Sequence, residues 1–586
     1  MKFQMKCLAL ILALALCASA CPVGLAEEPA YVQTLFDKSK IIEIDIQMDD
    51  EAWNNMIATA SQEEYSVCNL VVNGVLYVNV AIRPKGNSSL ASVTSRGSER
   101  YSWRIKFDKY EKKRTCDGLD ILILNNGFQD PGELKEAIAY DMYEFLSADA
   151  SLYNYAVVSH NGEYFGTYLA LEGVDKSFVK RVYGEDYGKL YKPELSAGAD
   201  RDKEQDALDD DDEGFGNSFG GSFGGQAGGD ANDFGGSFGG QAGGGDSGFG
   251  ASSGASAADG QNTDGQNPPS DNNDSGFGGS FGGQAGGDGN NMPAAPDQNG
   301  SGFGGGGFPG GGFAMFGAGG GAKSDSQLAM ALNYVGDDLE TYQGIWDSAK
   351  FKTDETDHQR VVEALKHVSE RDDIGDYVDI DNVLRYMAIQ AFIYNNDGLT
   401  DEEAHNYYLY EENGSLNLIP WDMNQAFSVT GNGSDYVNFP IDTPFTVSDL
   451  SQRDFFMALL ENEEYLAQYH EYLRQLSEEY VQGGRLEETY NRIRSQIDAL
   501  VDSDPTAFCT YDEFDASATS LKLAIQLRAQ SVLGQISGEI PSTREGQEAE
   551  PDKLMDVSGE DLSGLTSGFG MGANFTFAMP NMPGKK

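Results

Sequence analysis

Cysteine is scarce in this 586-residue chain: six in all, with no CxxC pair anywhere. Zinc ribbons and disulfide scaffolds need cysteines at fixed spacings, so neither is expected. Long apolar runs are also missing. The one at the start, Cys7 to Leu16, is too short to anchor in a bilayer, and no later segment approaches the roughly 20 apolar residues of a membrane helix. Basic residues are few, with 40 Lys and Arg against 93 Asp and Glu, a formal charge of −53. Repulsion on that scale opposes nucleic acid and anionic membrane surfaces and leaves basic proteins or metal cations as the better partners.

What is present divides the chain. Met1, Lys2 and Lys6, the apolar run, and then Ala18-Ser19-Ala20 are the three parts of a secretory signal, so residues 1–26 read as a leader and the protein as secreted or displayed at the cell surface. Cys21 follows directly and would suit lipidation, but Ala18 replaces the leucine normally found three residues before it, which favours ordinary cleavage after Ala20 or Ala26. If the leader is removed, Cys68, Cys116, Cys509 and, by the Ala20 route, Cys21 remain. From about 196 to 322 the composition becomes glycine-rich. An acidic run, Asp209 to Glu213, leads into SFGGQAGG, which recurs at Ser222, Ser237 and Ser280. Such sequence buries too little apolar surface to offset its ordering entropy and is expected to be disordered. The tail, 541–586, is read in the same way.

On either side the periodicities differ. Residues 27–195 are strand-rich. Tyr65 to Val72 and Val75 to Arg83 flank Asn73-Gly74, and Tyr155 to Ser159 and Tyr164 to Leu171 flank Asn161-Gly162, the dipeptide of tight hairpins. Between them lie strands at Tyr101 to Phe107 and Leu119 to Leu124, then a helix from Pro131 to Leu146. Residues 323–540 are mostly helical, at Gln359 to Val368, Asp381 to Ile393, Phe455 to Leu476 and Leu486 to Val501, with a small hairpin around Asn413-Gly414. The fold class expected is α+β, in the two-lobed layout of kinase-like proteins.

The specific signal is NNDG (Asn395 to Gly398), HNYYLY (His405 to Tyr410) and LIPWDMNQAF (Leu418 to Phe427), in that order. Further segments are RPKGNSS (Arg83 to Ser89), WRIKFDKY (Trp103 to Tyr110), LKEAIAYDMY (Leu134 to Tyr143), NGEYFGTYLALEGVD (Asn161 to Asp175) and GKLYKPE (Gly188 to Glu194). Together these resemble the CotH (spore coat protein H) family of atypical protein kinases, over nearly all the sequence outside the leader, insert and tail. The resemblance implies a secreted Ser/Thr kinase that uses ATP and Mg²⁺ or Mn²⁺ on coat, envelope or exported proteins. Basic acceptors, and serines of the insert through self-phosphorylation, are among the substrates it allows.

Phosphoryl transfer needs a metal against the triphosphate, cations near the transferring oxygens and a carboxylate beside the attacking hydroxyl. By analogy with protein kinases, the resemblance gives Asp397 the hydroxyl and Asn406 and Asp422 the metal. Lys85, Gly86, Asn87 and Ser88, with Ser89, form the candidate phosphate loop. Lys106 is placed on the α and β phosphates and in catalysis, oriented by Glu136, though Lys85 and Lys106 could exchange roles. Glu172, ahead of Asp175, is read as touching the nucleotide or metal, or else as capping a helix. Lys192 is a further pocket candidate. No HRD triad or APE segment is present, and no GxGxxG loop lies within the strand-rich residues 27–195, so ordinary kinase regulation does not carry over. A non-catalytic adhesion or structural protein on the same fold, and transfer of a nucleotidyl group, are the competing readings.

Overall fold

The computed structural model describes residues 28–566 except Asn87, 195–322, Glu403, Ser428 and Thr430. The expected leader, the glycine-rich insert and the end of the tail therefore lie outside the described residues.

The architecture is α+β, strand-rich first and helical afterwards. Strands Ile42–Gln47 (β1), Ser66–Val72 (β2), Val75–Lys85 (β3), Ser102–Lys106 (β4), Ile121–Asn125 (β5), Tyr153–His160 (β6) and Glu163–Glu172 (β7) form a closed barrel in the order β1-β2-β3-β4-β5-β7-β6. Parallel pairing of β1 with β6, from Ile42 opposite Ala156 to Ile46 opposite His160, closes it. Both Asn-Gly hairpins form as their sequence predicts, with φ of 48° and 82° at Asn73 and Gly74 and of 53° and 83° at Asn161 and Gly162. A second sheet, in the order β10-β9-β8, joins Lys189–Tyr191 (β8) to the hairpin Tyr407–Glu412 (β9) and Ser415–Pro420 (β10).

Side-chain alternation along the strands separates two cores. Ile44, Leu70, Val80, Ile82, Trp103, Ile105, Leu122, Leu124 and Val158 fill the barrel. Ile121, Ile123, Tyr153, Tyr155, Leu169 and Leu171 point outward and join the core of the helical half. The wall β5–β7–β6 is thus apolar on both faces, and this attaches barrel to helices.

The helices that matter here are Ser88–Ser95 (α1), Lys135–Phe145 (α2), Lys176–Tyr183 (α3), Glu355–Glu370 (α4), Ile380–Ile393 (α5), Glu463–Gln475 (α6), Arg485–Asp502 (α7) and Tyr511–Ser537 (α8). Three expectations need correcting. Pro131 lies in a turn before α2, which begins only at Lys135. The single helix expected over Phe455 to Leu476 is two, Asp454–Leu460 and α6, because the Asn462 side chain caps α6 by accepting from the Glu464 and Tyr465 amides. The described part of the tail is packed on the helical half: Val557, Leu562 and Leu565 are buried in its core, and the Arg544 guanidinium donates to the carbonyls of Phe445 and Val447.

A buried ion cluster clasps the chain after α7 to the barrel. Arg100 is fully buried and donates to Asp504 at 2.5 Å, to Glu133 at 3.0 Å and to the Asn126 carbonyl at 2.8 Å. One guanidinium thus serves two carboxylates. Burial, with the charges of Asp504 and Asp130 against the opposing pull of Arg100, pushes Glu133 up to about 8. Burial likewise raises Asp130 to about 6 and Asp120 to about 7. These groups hold protons in the folded state that the unfolded chain has lost by about pH 4. Their contribution is therefore complete below pH 4 and disappears as pH rises through 6 to 8. We expect the thermal midpoint at pH 5.5 to exceed that at pH 8 by about 5 °C or more. Scanning calorimetry at constant ionic strength measures this, and a midpoint that rises with pH over the same interval would contradict it.

Candidate active site

Helix α5 delivers the first group. Its last residues are followed by Tyr394 at φ 45°, which reverses the chain into Asn395-Asn396-Asp397-Gly398. Asn395 is buried and its Oδ1 accepts from the Asp397 amide at 3.3 Å. Gly398 is required by close approach, since a Cβ there would come within 2.8 Å of Asn395 Nδ2. From beneath, Arg528 of α8 donates to the carbonyls of Ala391 (3.0 Å) and Phe392 (3.4 Å) in the last turn of α5.

The hairpin β9–β10 delivers the second group. Its register pairs Tyr407 with Pro420, so Asn406 and Trp421 continue the two strands side by side. Asn406 and Asp422 both take the left-handed conformation, at φ 55° and 53°. Asn and Asp tolerate that region best among residues with a Cβ, and such strain gathers at functional sites.

These segments converge on the Asp397 carboxylate. Oδ2 accepts from Asn406 Nδ2 at 3.1 Å and from Gln425 Nε2 at 2.7 Å, and Oδ1 lies 3.0 Å from His405 Nε2. Asn406 Nδ2 also donates to the Asp397 carbonyl at 2.8 Å. Both of its partners are acceptors, which fixes the amide orientation. Burial disfavours a charged His405 ring, but the hydrogen bond to Asp397 and the charges of Asp397, Asp401 and Asp422 outweigh it, and the imidazole pKa is raised.

The third group comes from the barrel. Lys85, at the end of β3, donates to Asn125 Oδ1 at 3.0 Å, and Asn125 Nδ2 donates to both oxygens of Glu136 on α2, at 3.1 and 2.8 Å. The Lys85 ammonium sits 5.6 Å from the centre of the Trp421 ring. Burial, then the negative charge of Asp422, raises Glu136 to about 7, while Asn125 and Lys85 pull the other way. The charge of Asp422 thus contributes to the raised pKa of both Glu136 and His405.

Two expected roles fit their surroundings differently. Lys106 stands farther along β4 than the Lys85–Asn125–Glu136 chain. It lies opposite Ala81 and Ile121, four residues along β4 from Ser102, which faces Lys85. That is about 13 Å along the strand. Lys85 is joined to Glu136 through Asn125. Glu172 is fully buried and its carboxylate is engaged by Arg181 at 2.6 Å, by the Tyr31 hydroxyl at 2.6 Å and by the Leu152 amide at 3.1 Å. These donors explain its burial without a nucleotide. Nor does Glu172 cap α3, whose N-cap is Asp175. Lys192 follows β8 and is paired with Glu194. Gly86, at φ 119°, leads towards the N-terminus of α1, while Asn87 and the Ser88 side chain lie outside the described residues. His405, Gln425 and Asn125 were given no role from sequence. The first two stand inside the quoted motifs, and only the geometry tells them from their neighbours.

A metal ion fits the donors present. Asn406 commits its amide nitrogen to Asp397, which turns its carbonyl oxygen away from Asp397, and Asp422 adds a carboxylate, so both donors are hard oxygens. Among the described residues no cluster of three or more His, Cys, Asp or Glu is arranged to hold a metal. Mg²⁺ needs no such cluster, because it is commonly held by one or two carboxylates together with substrate phosphates. Behind Glu136 a cavity of about 20 Å³, lined among others by Asn125, Asp130, Glu133 and Asn424, has room for a water molecule. A cleft of about 690 Å³ bordered by Leu35, Asn73, Tyr77 and Asn154 contains none of the residues grouped around Asp397 and Glu136.

No curated protein matches the chain. A family model described as CotH kinase protein matches residues 82–220 and 322–532, which include Lys85, Glu136, Asp397, Asn406 and Asp422 and amount to more than half of the chain. The protein belongs to the CotH kinase family.

Proposed function

We propose that the protein is an exported Ser/Thr kinase on an atypical bilobal kinase-like fold, which transfers the γ-phosphate of ATP to hydroxyls of coat, envelope or other exported proteins. One observation carries this reading. Asp397, with its three side-chain donors, and the chain Lys85–Asn125–Glu136 come from opposite halves of the molecule, and the charge of Asp422 acts on both. Phosphoryl transfer demands that combination of a carboxylate for the hydroxyl, an oriented cation and oxygen ligands for a metal.

In this reading Asp397 accepts the proton of the acceptor hydroxyl as its oxygen bonds to the γ-phosphorus, the bond to the β–γ bridging oxygen breaks, and ADP leaves. Lys85 carries its charge to the phosphates, held in aim by Asn125 and Glu136. The first turn of α1 offers backbone amides at a helix N-terminus, where anions bind well. Asn406 and Asp422 would hold Mg²⁺ or Mn²⁺, which when bound neutralises phosphate charge. Lys192 remains a pocket candidate. Export rests on the leader at Met1 to Ala20, and no helix among the described residues is long and apolar enough to cross a membrane.

Incubation of the purified chain and a casein-type acceptor with ATP labelled at the γ or at the α phosphate tests the reading. We expect label from the γ position only. Label from the α position would mean nucleotidyl transfer, and no binding of nucleotide would favour an adhesive or structural role. Lys85→Met should lower the rate by about 100-fold, whereas Lys106→Met should leave more than a third of it. The reverse order would return the phosphate role to Lys106.

A further inference from the structure

The carboxylate of Asp397 is loaded unevenly. Oδ2 has two donors, Asn406 Nδ2 and Gln425 Nε2, whereas Oδ1 has His405 Nε2 and no second donor among the described residues. An ionised carboxylate offers about two acceptor positions on each oxygen. The position left for an incoming hydroxyl is therefore on Oδ1, beside His405. The imidazole is equally one-sided. Its Nδ1 is buried without a hydrogen-bond partner, so its bond to Asp397 is the polar contact that orients the ring. The left-handed backbone at Ala404 (φ 52°) and Asn406 (φ 55°) brackets His405, so the chain on both sides is held in a conformation that non-glycine residues adopt at a cost.

We infer that His405, opposed across the carboxylate by Gln425, is a positioning residue that sets the rotation of the Asp397 side chain and so presents Oδ1 to the acceptor hydroxyl. The inference rests on the kinase reading. It makes a prediction that a merely structural histidine would not. Loss of the Nε2 donor should slow transfer without weakening the binding of ATP, and a side chain that returns a nitrogen donor at the same reach should restore the rate. Glutamine is that side chain, since its Nε2 lies about as far from the backbone as that of histidine.

The test compares full-length parent, His405→Leu and His405→Gln in steady-state transfer from Mg·ATP to a protein acceptor. We expect kcat of His405→Leu to fall about 30-fold with KM for ATP within twofold of the parent, and His405→Gln to recover to within threefold. Parent-like kcat in His405→Leu, or a glutamine variant no better than leucine, overturns the inference and leaves the kinase reading intact. A parent that transfers no phosphate defeats both. A second measurement reads the hydrogen bond directly. The chain has five histidines, so selective ¹⁵N-histidine labelling gives few imidazole signals. One N–H should be protected from exchange in the parent, absent in His405→Gln and displaced in Asp397→Asn. If no such signal is found in the parent, the inference fails whatever the kinetics.

Discussion

Asp397→Asn should reduce phosphate transfer by about a thousandfold or more, and Asp422→Asn by at least about a hundredfold. The first substitution removes the group that accepts the hydroxyl proton. It also sets an amide N–H against the donors of Asn406 and Gln425, or, with the amide turned over, makes the His405 ring take the tautomer in which Nε2 accepts. Some loss of stability should therefore accompany the loss of rate, and Asp397→Ala, which creates no donor clash, separates the two effects. The second substitution removes a negative charge that acts on both Glu136 and His405. Its signature differs, because the rate should respond to added Mn²⁺ or Mg²⁺, whereas Asp397 variants should not. Rates measured across a metal titration, with thermal midpoints beside them, provide the check. Transfer by Asp397→Ala at parent rates would remove that residue from the chemistry.

Much of this arrangement could be read from the sequence because it lies in local signals. The Asn-Gly turns specify their hairpins through the positive φ that both residues accept, and the pairing of β9 with β10 around Asn413-Gly414 is enough to bring Asn406 beside Trp421-Asp422. The choice between Lys85 and Lys106 was not local. It depends on which strand end faces α2, and therefore on register between strands far apart in sequence. Barrel closure was equally hidden. The alternation of Ile42-Glu43-Ile44-Asp45-Ile46 announces a half-buried strand but does not say that it will pair in parallel with β6. The partners of Glu172 were no more local. An acid at a strand end before a helix suggests a ligand contact, and its actual partners, Tyr31 and Arg181, lie 141 residues before it and nine after. Helix α8 could have been seen, since Thr510 and Glu513 form a capping box ahead of it.

Arg528 lies on that helix, and its replacement should produce the largest loss of stability of any single change proposed here. The guanidinium is fully buried and hydrogen-bonded to carbonyls, those of Ala391, Phe392, Val437 and Phe439 at 2.6 to 3.4 Å. Burial without a carboxylate partner pulls its pKa down to about 10, although Tyr436 and Tyr469 push the other way, so it stays charged at neutral pH. Two of those carbonyls belong to the last turn of α5, which has no further turn to satisfy them, and a cation is also favourable at that end of a helix. Methionine at 528 would fill most of the volume but leave the buried carbonyls of Ala391, Phe392 and Val437 without this donor, while that of Phe439 keeps Gln535 Nε2 at 3.2 Å. At about 1 kcal/mol or more for each unsatisfied group, the cost should reach roughly 3–5 kcal/mol, and the thermal midpoint should fall by about 8 °C or more. Lysine should recover little, because one ammonium cannot reach carbonyls spread across two segments. The same four carbonyls flank Tyr394 to Asp397 on one side and the 437–439 segment on the other, so below the new midpoint Arg528→Met should also bind nucleotide more weakly than the parent. Calorimetry and a nucleotide-binding titration on one sample would measure both effects. A methionine variant as stable as the parent would mean that the carbonyls are satisfied by water and that the guanidinium is not what holds the Asp397 loop in place.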